Sequence, residues 1–351
     1  MKNEDYEMQQ KVLFFWEGFP PCALLLVEIK KKFGENLTIL ATRAKVNFPD
    51  FDILYPDLNI TWLNSPNQIW ELKEFYSEYN VIIHTGWAHS NWLKFSKWMK
   101  RNYNSKVYLT VDNIYTGTLR QYLGAIYFRF KLKNIYDGVF VPGNESKKYL
   151  NFLGMPSSKI FYGYYGAFED IYFSNIPINE RKEEFLFVGQ LIYRKGLDTL
   201  IKAYKLYRMN GGKWNLRISG SGPLENLCIG DGIIFEKFLN PIECANKMRN
   251  SRCLILPSKD EHWGTVVCEA AASGMTLLLS TNIGSSVDLL RNGINGYSFE
   301  SSSEIDLSKK MLLISNWNDD RTVNASNISI SISKAFDSKS FYNGFFSMIE
   351  V

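Results

Sequence analysis

The sequence predicts an α/β protein built from two doubly wound domains, and three observations predict it. Short apolar runs alternate with longer amphipathic segments along almost the whole chain, the pattern of parallel strands joined by crossover helices. The alternation lapses over residues 166–184 and then starts afresh, which divides the chain in two. The 351 residues are 46% hydrophobic and 15% aromatic, enough for about two buried cores.

The elements follow in order. Val12–Phe15, Leu37–Ala41, Val81–Ile83, Val107–Val111 and Val139–Val141 read as strands. Helical patterns at 22–32, 68–78, 90–101, 117–133 and 144–153 separate them. The second strand set is Phe185–Val188, Leu216–Ser219, Ile233–Phe235, Leu254–Leu256, Thr276–Leu279 and Tyr297–Phe299. Its clearest helix spans 196–209, where Leu197, Leu200, Ile201, Tyr204 and Tyr207 share one face. "SNISISIS" (326–333) alternates with period two and reads as a strand, with no partner apparent. The expected domains are 1–174 and 175–335, followed by a terminal helix over 336–351. Ligands of such sheets bind at the carboxyl ends of the strands.

Composition narrows the class. A net charge of +4 is too small and too dispersed to argue for nucleic acid. Five scattered cysteines form no C-x-x-C, which suits reduced thiols better than a disulfide framework or a zinc site. The stretch "MKNEDYEMQQ" is acidic and polar where a signal peptide would be basic and then apolar. The longest uncharged stretch, 270–287, is broken by glycines, an asparagine and serines, so it is not a membrane span. A cytoplasmic protein is the expectation.

The candidate chemistry starts at "KDEHWGTVVCEAAASG" (259–274). With 36 acidic residues in 351, about three or four acidic pairs at any spacing arise by chance, so Glu261 and Glu269 mean little as a pair. Context carries more. "CLILPS" is a strand entering a turn, and "GTVVCEAAASG" is a short helix ended by Gly274. Glu269 misses a capping box by one residue from Thr265, and its Val, Cys and Ala neighbours do not suit a solvated position. Gly264, Thr265 and Val266 can instead present backbone N–H groups to an anion, with a carboxylate on each side holding hydroxyls.

"FLFVGQLIYRKGLDTLI" (185–201) places Arg194 and Lys195 at a helix N-terminus, against the macrodipole unless an anion sits there. Together with the Gly264 turn, it suggests a phosphate site lined by both cations. "LRISGSGPLEN" (216–226) adds Gly220 and Gly222, which permit close backbone approach but lack the third glycine of a dinucleotide fingerprint. Asp50-Phe51-Asp52 has the letters of a metal-binding D-x-D, but it lies in a Pro-flanked loop before a strand. No metal is expected.

The succession strand–G-x-L-x-x-x-K-G, then G-x-G-P, then P-S-x-x-E-x-x-G-x-x-x-x-E-A-x-A-x-G resembles the retaining GT-B glycosyltransferases of family 4, with their E-x7-E motif. The likeness covers residues 185–300, including "RNGINGYSF" (291–299). Residues 139–173 resemble the approach to the family's interdomain hinge, and 333–351 resemble its terminal helix. The resemblance implies two Rossmann-like domains facing a cleft, with that helix crossing back to the first domain. It also implies a nucleotide-diphosphate-sugar donor, transfer with retention to a glycan or lipid-linked acceptor, and no metal or other cofactor. Hexosyl transfer in surface polysaccharide or glycoconjugate synthesis is the matching role.

Carried over by position, Lys195 with Arg194 would neutralise the donor diphosphate. Gly264, Thr265 and Val266 would supply N–H groups, Glu261 would face the transferred sugar, and Glu269 would hold the ribose hydroxyls. Phe238 and Leu239, with Asn240, fall where the base-binding loop lies, and Gly18 stands in the first domain's glycine-rich loop. The first-domain histidine corresponds to His84 or His89, His84 being better placed at its strand end. Gln190 replaces the family's arginine, and His262 replaces a glycine. Those departures leave room for a non-catalytic nucleotide-sugar-binding subunit, and a GT-B epimerase is a further alternative. Three basic, aromatic stretches (28–33, 91–101, 127–133) read either as solvated helix faces with snorkelling lysines or as docking elements for an anionic membrane surface. The second reading would put the protein on the inner face of the cell membrane.

Overall fold

The computed structural model describes residues 10–16, 23–42, 55–87 and 89–350. The chain separates into two compact units. The first holds residues up to Pro142, Ser146–Tyr165 and Lys339 onward; the second holds Gly143–Glu145 and Gly166–Ser338. The boundaries thus fall at 165/166 and 338/339, against the expected 174/175 and 335/336.

In chain order the strands and helices are β1 (Val12–Trp16), α1 (Ala23–Phe33), β2 (Leu37–Ala41), β3 (Thr61–Trp62), β4 (Val81–Thr85), α2 (Ser90–Tyr103), β5 (Lys106–Thr110), α3 (Leu119–Tyr127), β6 (Gly138–Val141), α4 (Asn144–Leu153) and β7 (Ile160–Tyr162). There follow α5 (Glu169–Tyr172), β8 (Lys182–Val188), α6 (Leu197–Met209), β9 (Asn215–Ser219), β10 (Ile233–Glu236), α7 (Pro241–Asn250), β11 (Ser251–Leu256), α8 (Thr265–Ala272), β12 (Thr276–Ser280), α9 (Ser286–Leu289), β13 (Gly296–Phe299), α10 (Glu304–Ser315), α11 (Asp319–Ser333) and α12 (Ser338–Ile349).

The first unit's sheet runs β3-β2-β1-β4-β5-β6-β7 and the second's β10-β9-β8-β11-β12-β13. The pairings are parallel throughout. Strands covered on both faces need continuous apolar runs, and every residue of β1 and β12 is buried. In the second unit Phe185, Phe187, Leu216, Ile218 and Ile255 are sealed against Leu197, Leu200 and Tyr204 of α6. Each such side chain contributes about 1.5–3 kcal/mol. Helix α12 buries Phe341, Phe345 and Met348. Phe341 packs on Phe140 (ring centroids 5.6 Å) and Phe345 on Phe33 (6.1 Å), so the C-terminal helix completes the first unit's core.

Three expectations are corrected, and two strands are added. Residues 326–333 are helical, as the end of α11. Thr322, Ala325, Ser326, Ser329 and Ser333 are its buried positions, a helical spacing carried by small residues rather than by the isoleucines. The Asn318 side chain accepts from Arg321 N and caps its start. The 68–78 segment forms two short 3₁₀ turns, Pro66–Trp70 and Lys73–Tyr76, instead of a helix. The helix expected over 117–133 is α3 continued by a π turn at Phe128–Leu132. The short edge strands β3 and β7 were not expected, since two or three residues cannot display a period.

Candidate functional site

Strand order reverses direction between β8 and β11 in the second unit, since β9 and β10 lie to one side and β12 and β13 to the other. In an open parallel sheet this switch point leaves a crevice at the carboxyl ends of the strands. The loops that follow β10, β9, β8 and β11 lie side by side there. They carry, in turn, Phe238 and Leu239; Gly220 and Gly222; Gln190, Arg194 and Lys195; and Glu261 through Val266. The sheet therefore assembles at one edge residues far apart in the chain.

Hydrogen bonds knit the loops together. Leu191 N donates to Ser221 O (2.9 Å) and Leu224 N to Leu191 O (3.0 Å). This zips the Gly189 turn to the G-x-G turn, and a Cβ on Gly220 would run into the Gly189 carbonyl. Lys259 N donates to Arg194 O (2.8 Å), joining the β8 and β11 loops. Glu261 is held by its own backbone, with its N–H on Asn282 O (3.2 Å) and its carbonyl accepting from Gly284 N (3.0 Å).

The charges converge on Glu261. Its carboxylate accepts from Lys195 Nζ and from Ser258 Oγ (3.2 Å), and Arg194 Nη1 lies 3.7 Å away. Lys195 and Glu261 are both mostly buried, while Arg194 is half exposed and also donates to Asp260 O (2.9 Å). Beyond this cluster, Lys259 pairs with Asp198 (2.8 Å). Ser258 stands in the P-S-x-x-E pattern of the sequence, which gives it no role; the hydrogen bond to Glu261 supplies one.

Gly264 holds φ +81° and starts α8, and no side chain caps that N-terminus. The first-turn N–H groups of a helix have no intrahelical partner, so those around Thr265 and Val266 can meet an anion. Trp263 is buried and packs 5.7 Å from Phe336. Glu269 lies on α8 with most of its surface covered. Burial raises its carboxyl to about 7, and a hydrogen bond from Tyr172 opposes the rise. Tyr172 comes from α5, distant in sequence, and no local pattern signals it. The expected base loop is finished by Asn240, which caps α7: its side chain accepts from Glu243 N (3.0 Å) while the Glu243 carboxylate accepts from Asn240 N (2.9 Å). Phe238 is less than half exposed.

The remaining candidates belong to the first unit. His84 ends β4 and is 1% exposed. Its Nδ1 donates to Gly86 O (2.9 Å), and burial lowers its pKa to about 4. It is a neutral ring, 5.4 Å from Tyr136. His89 precedes α2, is partly exposed and lies against Trp92 with ring centroids 4.2 Å apart and the rings tilted by 30°. Gly18, and the Asp50–Asp52 stretch read as a loop, lie outside the described residues. Among the described residues no group of three or more His, Cys, Asp or Glu side chains is placed to hold a metal ion, and Cys228, Cys244, Cys253 and Cys268 are buried free thiols.

Two parallel α/β sheets, with cations and glycine turns at the switch point of the second, define the GT-B class of fold. Comparisons agree. HepE of Anabaena, in its crystal structure with UDP, superposes with a TM-score of 0.76 at 15% identity, over 97% of this chain and 100% of that one. Sucrose-phosphate synthase of Thermosynechococcus elongatus gives 0.71 at 14% identity, over 97% and 98%. Residues 168–327, just under half of the chain, match the family described as glycosyl transferases group 1. An uncharacterised glycosyltransferase of Methanocaldococcus jannaschii is 30% identical over 131 residues, 35% of this chain and 33% of the relative. The glycogen synthase of Mycobacterium tuberculosis is 32% identical over 123 residues, 33% of this chain and 30% of that protein. The chain thus spans about a third of the length of these curated relatives.

Proposed function

We propose that the chain is a glycosyltransferase that takes a sugar from a nucleotide-diphosphate donor held on the second unit. The observation that carries this is the meeting of Lys195, Arg194 and the uncapped N-terminus of α8 at the sheet's switch point. Three positive features on one crevice suit a diphosphate leaving group. In this reading Lys195 and Arg194 take up its charge, Gly264–Val266 donate backbone N–H groups, and Gln190, Gly220 and Gly222 let the phosphates approach the backbone. Glu261 faces the sugar and orients Lys195 beforehand, Glu269 accepts from the ribose hydroxyls, and Phe238 and Leu239 flank the base. The cations do the work a metal ion would do, so turnover is metal-independent.

Retention of configuration, family 4 membership, and hexosyl transfer to a glycan or lipid-linked acceptor in surface polysaccharide or glycoconjugate synthesis extend the reading. They rest on the resemblance of the E-x7-E segment. The first unit is proposed to receive the acceptor, and the place of work is the cytoplasmic face of a membrane. Because His84 is buried, His89 is the histidine proposed to face substrate.

A thermal-shift screen with UDP, GDP, ADP and their sugars tests the donor site. UDP-sugars come first, since HepE has been crystallised with UDP-glucose. A rise in melting temperature with one nucleotide series, followed by sugar transfer from that donor, is the expected outcome. No shift with any of them would remove the reading. Binding without turnover would favour the non-catalytic subunit, and release of an isomerised sugar nucleotide without acceptor would favour the epimerase.

A further inference from the structure

We propose that α3 and the π turn continuing it form a docking face for an anionic lipid surface. This deepens the reading above only in its lipid-linked acceptor. The helix is apolar on two opposite sides. Ala125, Phe128 and Leu132 are buried in the first unit. On the other side Leu119, Tyr122, Leu123, Ile126, Tyr127 and Phe130 stand in solvent, Leu119 at 75% and Phe130 at 81% exposure. At 100° per residue these six fall within about 140° of arc, a continuous stripe and not scattered single residues.

Cations border the stripe. Arg120, Arg129 and Lys131 are exposed and Lys133 is partly so. No acidic residue occurs between Asn113 and Asn134. Arg129 donates to the Phe152 carbonyl (2.5 Å), and among the described residues none of the four cations is in an ion pair. An outward apolar stripe edged by such cations is the chemistry of a helix lying in a headgroup layer. No helix among the described residues is long and apolar enough to cross a membrane, so the contact is superficial. A second copy of the chain fits worse. Two-fold pairing of this patch on itself would bring four cations against four, with no carboxylate of the α3 segment to offset them.

The other two basic, aromatic stretches do not share the arrangement. Lys31 pairs with Glu28, and Lys32 lies over the Phe346 ring at 3.9 Å. In α2, Trp92, Phe95 and Met99 point inward and Lys100 pairs with Asp137 (2.7 Å). Both are packed faces with snorkelling lysines.

Co-sedimentation of the full chain with phosphatidylcholine vesicles, with and without phosphatidylglycerol, tests the proposal. The protein is expected to sediment with the anionic vesicles and to be released by salt. Leu123→Ser/Phe130→Ser should weaken this at least about tenfold. Arg120→Gln/Lys131→Gln should weaken it about ten- to thirtyfold on anionic vesicles. All four side chains are exposed, so both variants keep the parent's melting temperature. Absence of sedimentation, equal sedimentation of either variant, or a dimer that Leu123→Ser/Phe130→Ser converts to monomer would overturn it. Nucleotide binding is read separately, so failure of the donor site and failure of the lipid face are distinguishable.

Discussion

Glu269→Gln probes the donor site and the cost of that site to the fold. The Glu269 carboxyl is raised from the ordinary 4.5 to about 7, chiefly by burial. Between these values the native state holds a proton that the unfolded chain has released. This contribution to stability is therefore complete below about pH 4.5, falls as pH rises, and is gone above about pH 7. At about 1.4 kcal/mol per pH unit the loss is at most about 3 kcal/mol. Residual exposure of the side chain brings the working figure nearer 2. Glutamine is neutral throughout and nearly the same size. At pH 8 the variant should be about 2 kcal/mol more stable than the parent, and near pH 4.5 the two should coincide.

Urea denaturation followed by tryptophan fluorescence at several pH values measures this difference. Loss of a charged acceptor for the ribose hydroxyls should also weaken nucleotide binding about ten- to hundredfold, as read by calorimetry. A parent whose stability is flat between pH 5 and 7, or a variant less stable at pH 8, would refute the burial argument. Unchanged nucleotide affinity would take Glu269 out of the donor site.

Other outcomes are expected. Lys195→Ala should lower turnover by about two to three orders of magnitude; near-normal turnover would sink its assignment. Gly264→Ala forces φ +81° on an L-residue and sets a methyl 3.1 Å from Leu256 Cδ2 and 3.2 Å from Glu261 Cγ. It should cost about 1–3 kcal/mol in urea denaturation and weaken nucleotide binding, whereas wild-type behaviour in both assays would remove the turn's role. Turnover measured in EDTA should match the untreated rate; loss that magnesium or manganese restores would show a metal requirement.

Much of this site was legible in the chain because its parts are local. Gly220 and Gly222, Arg194-Lys195, and the Glu261-to-Gly264 turn each sit at a strand end, and strand ends can be read from apolar runs. What was not legible depends on packing between distant segments. Tyr172 reaches Glu269 from α5, Ser258 and two cations gather on one carboxylate, and His84 is sealed while His89 is not. The 326–333 segment shows the same limit from the other side. Its alternating isoleucines imitate a strand locally, but serines at helical spacing pack against α8, and burial outweighed the alternation.

The eleven longer strands along the chain, the restart of the alternation in its second half and the identity of the glycine and cation turns follow from the sequence alone, because periodicity and backbone freedom are properties of neighbouring residues. The lateral order of the strands does not, and that order decides which turns become neighbours. Only the folded sheet places β8 beside β11 and leaves the switch point open between them. Only it turns Leu119, Leu123 and Phe130 outward while Trp92 and Phe95 turn in. A run of aromatic and basic residues reads the same in both helices, and what the opposite face packs against decides which run meets water.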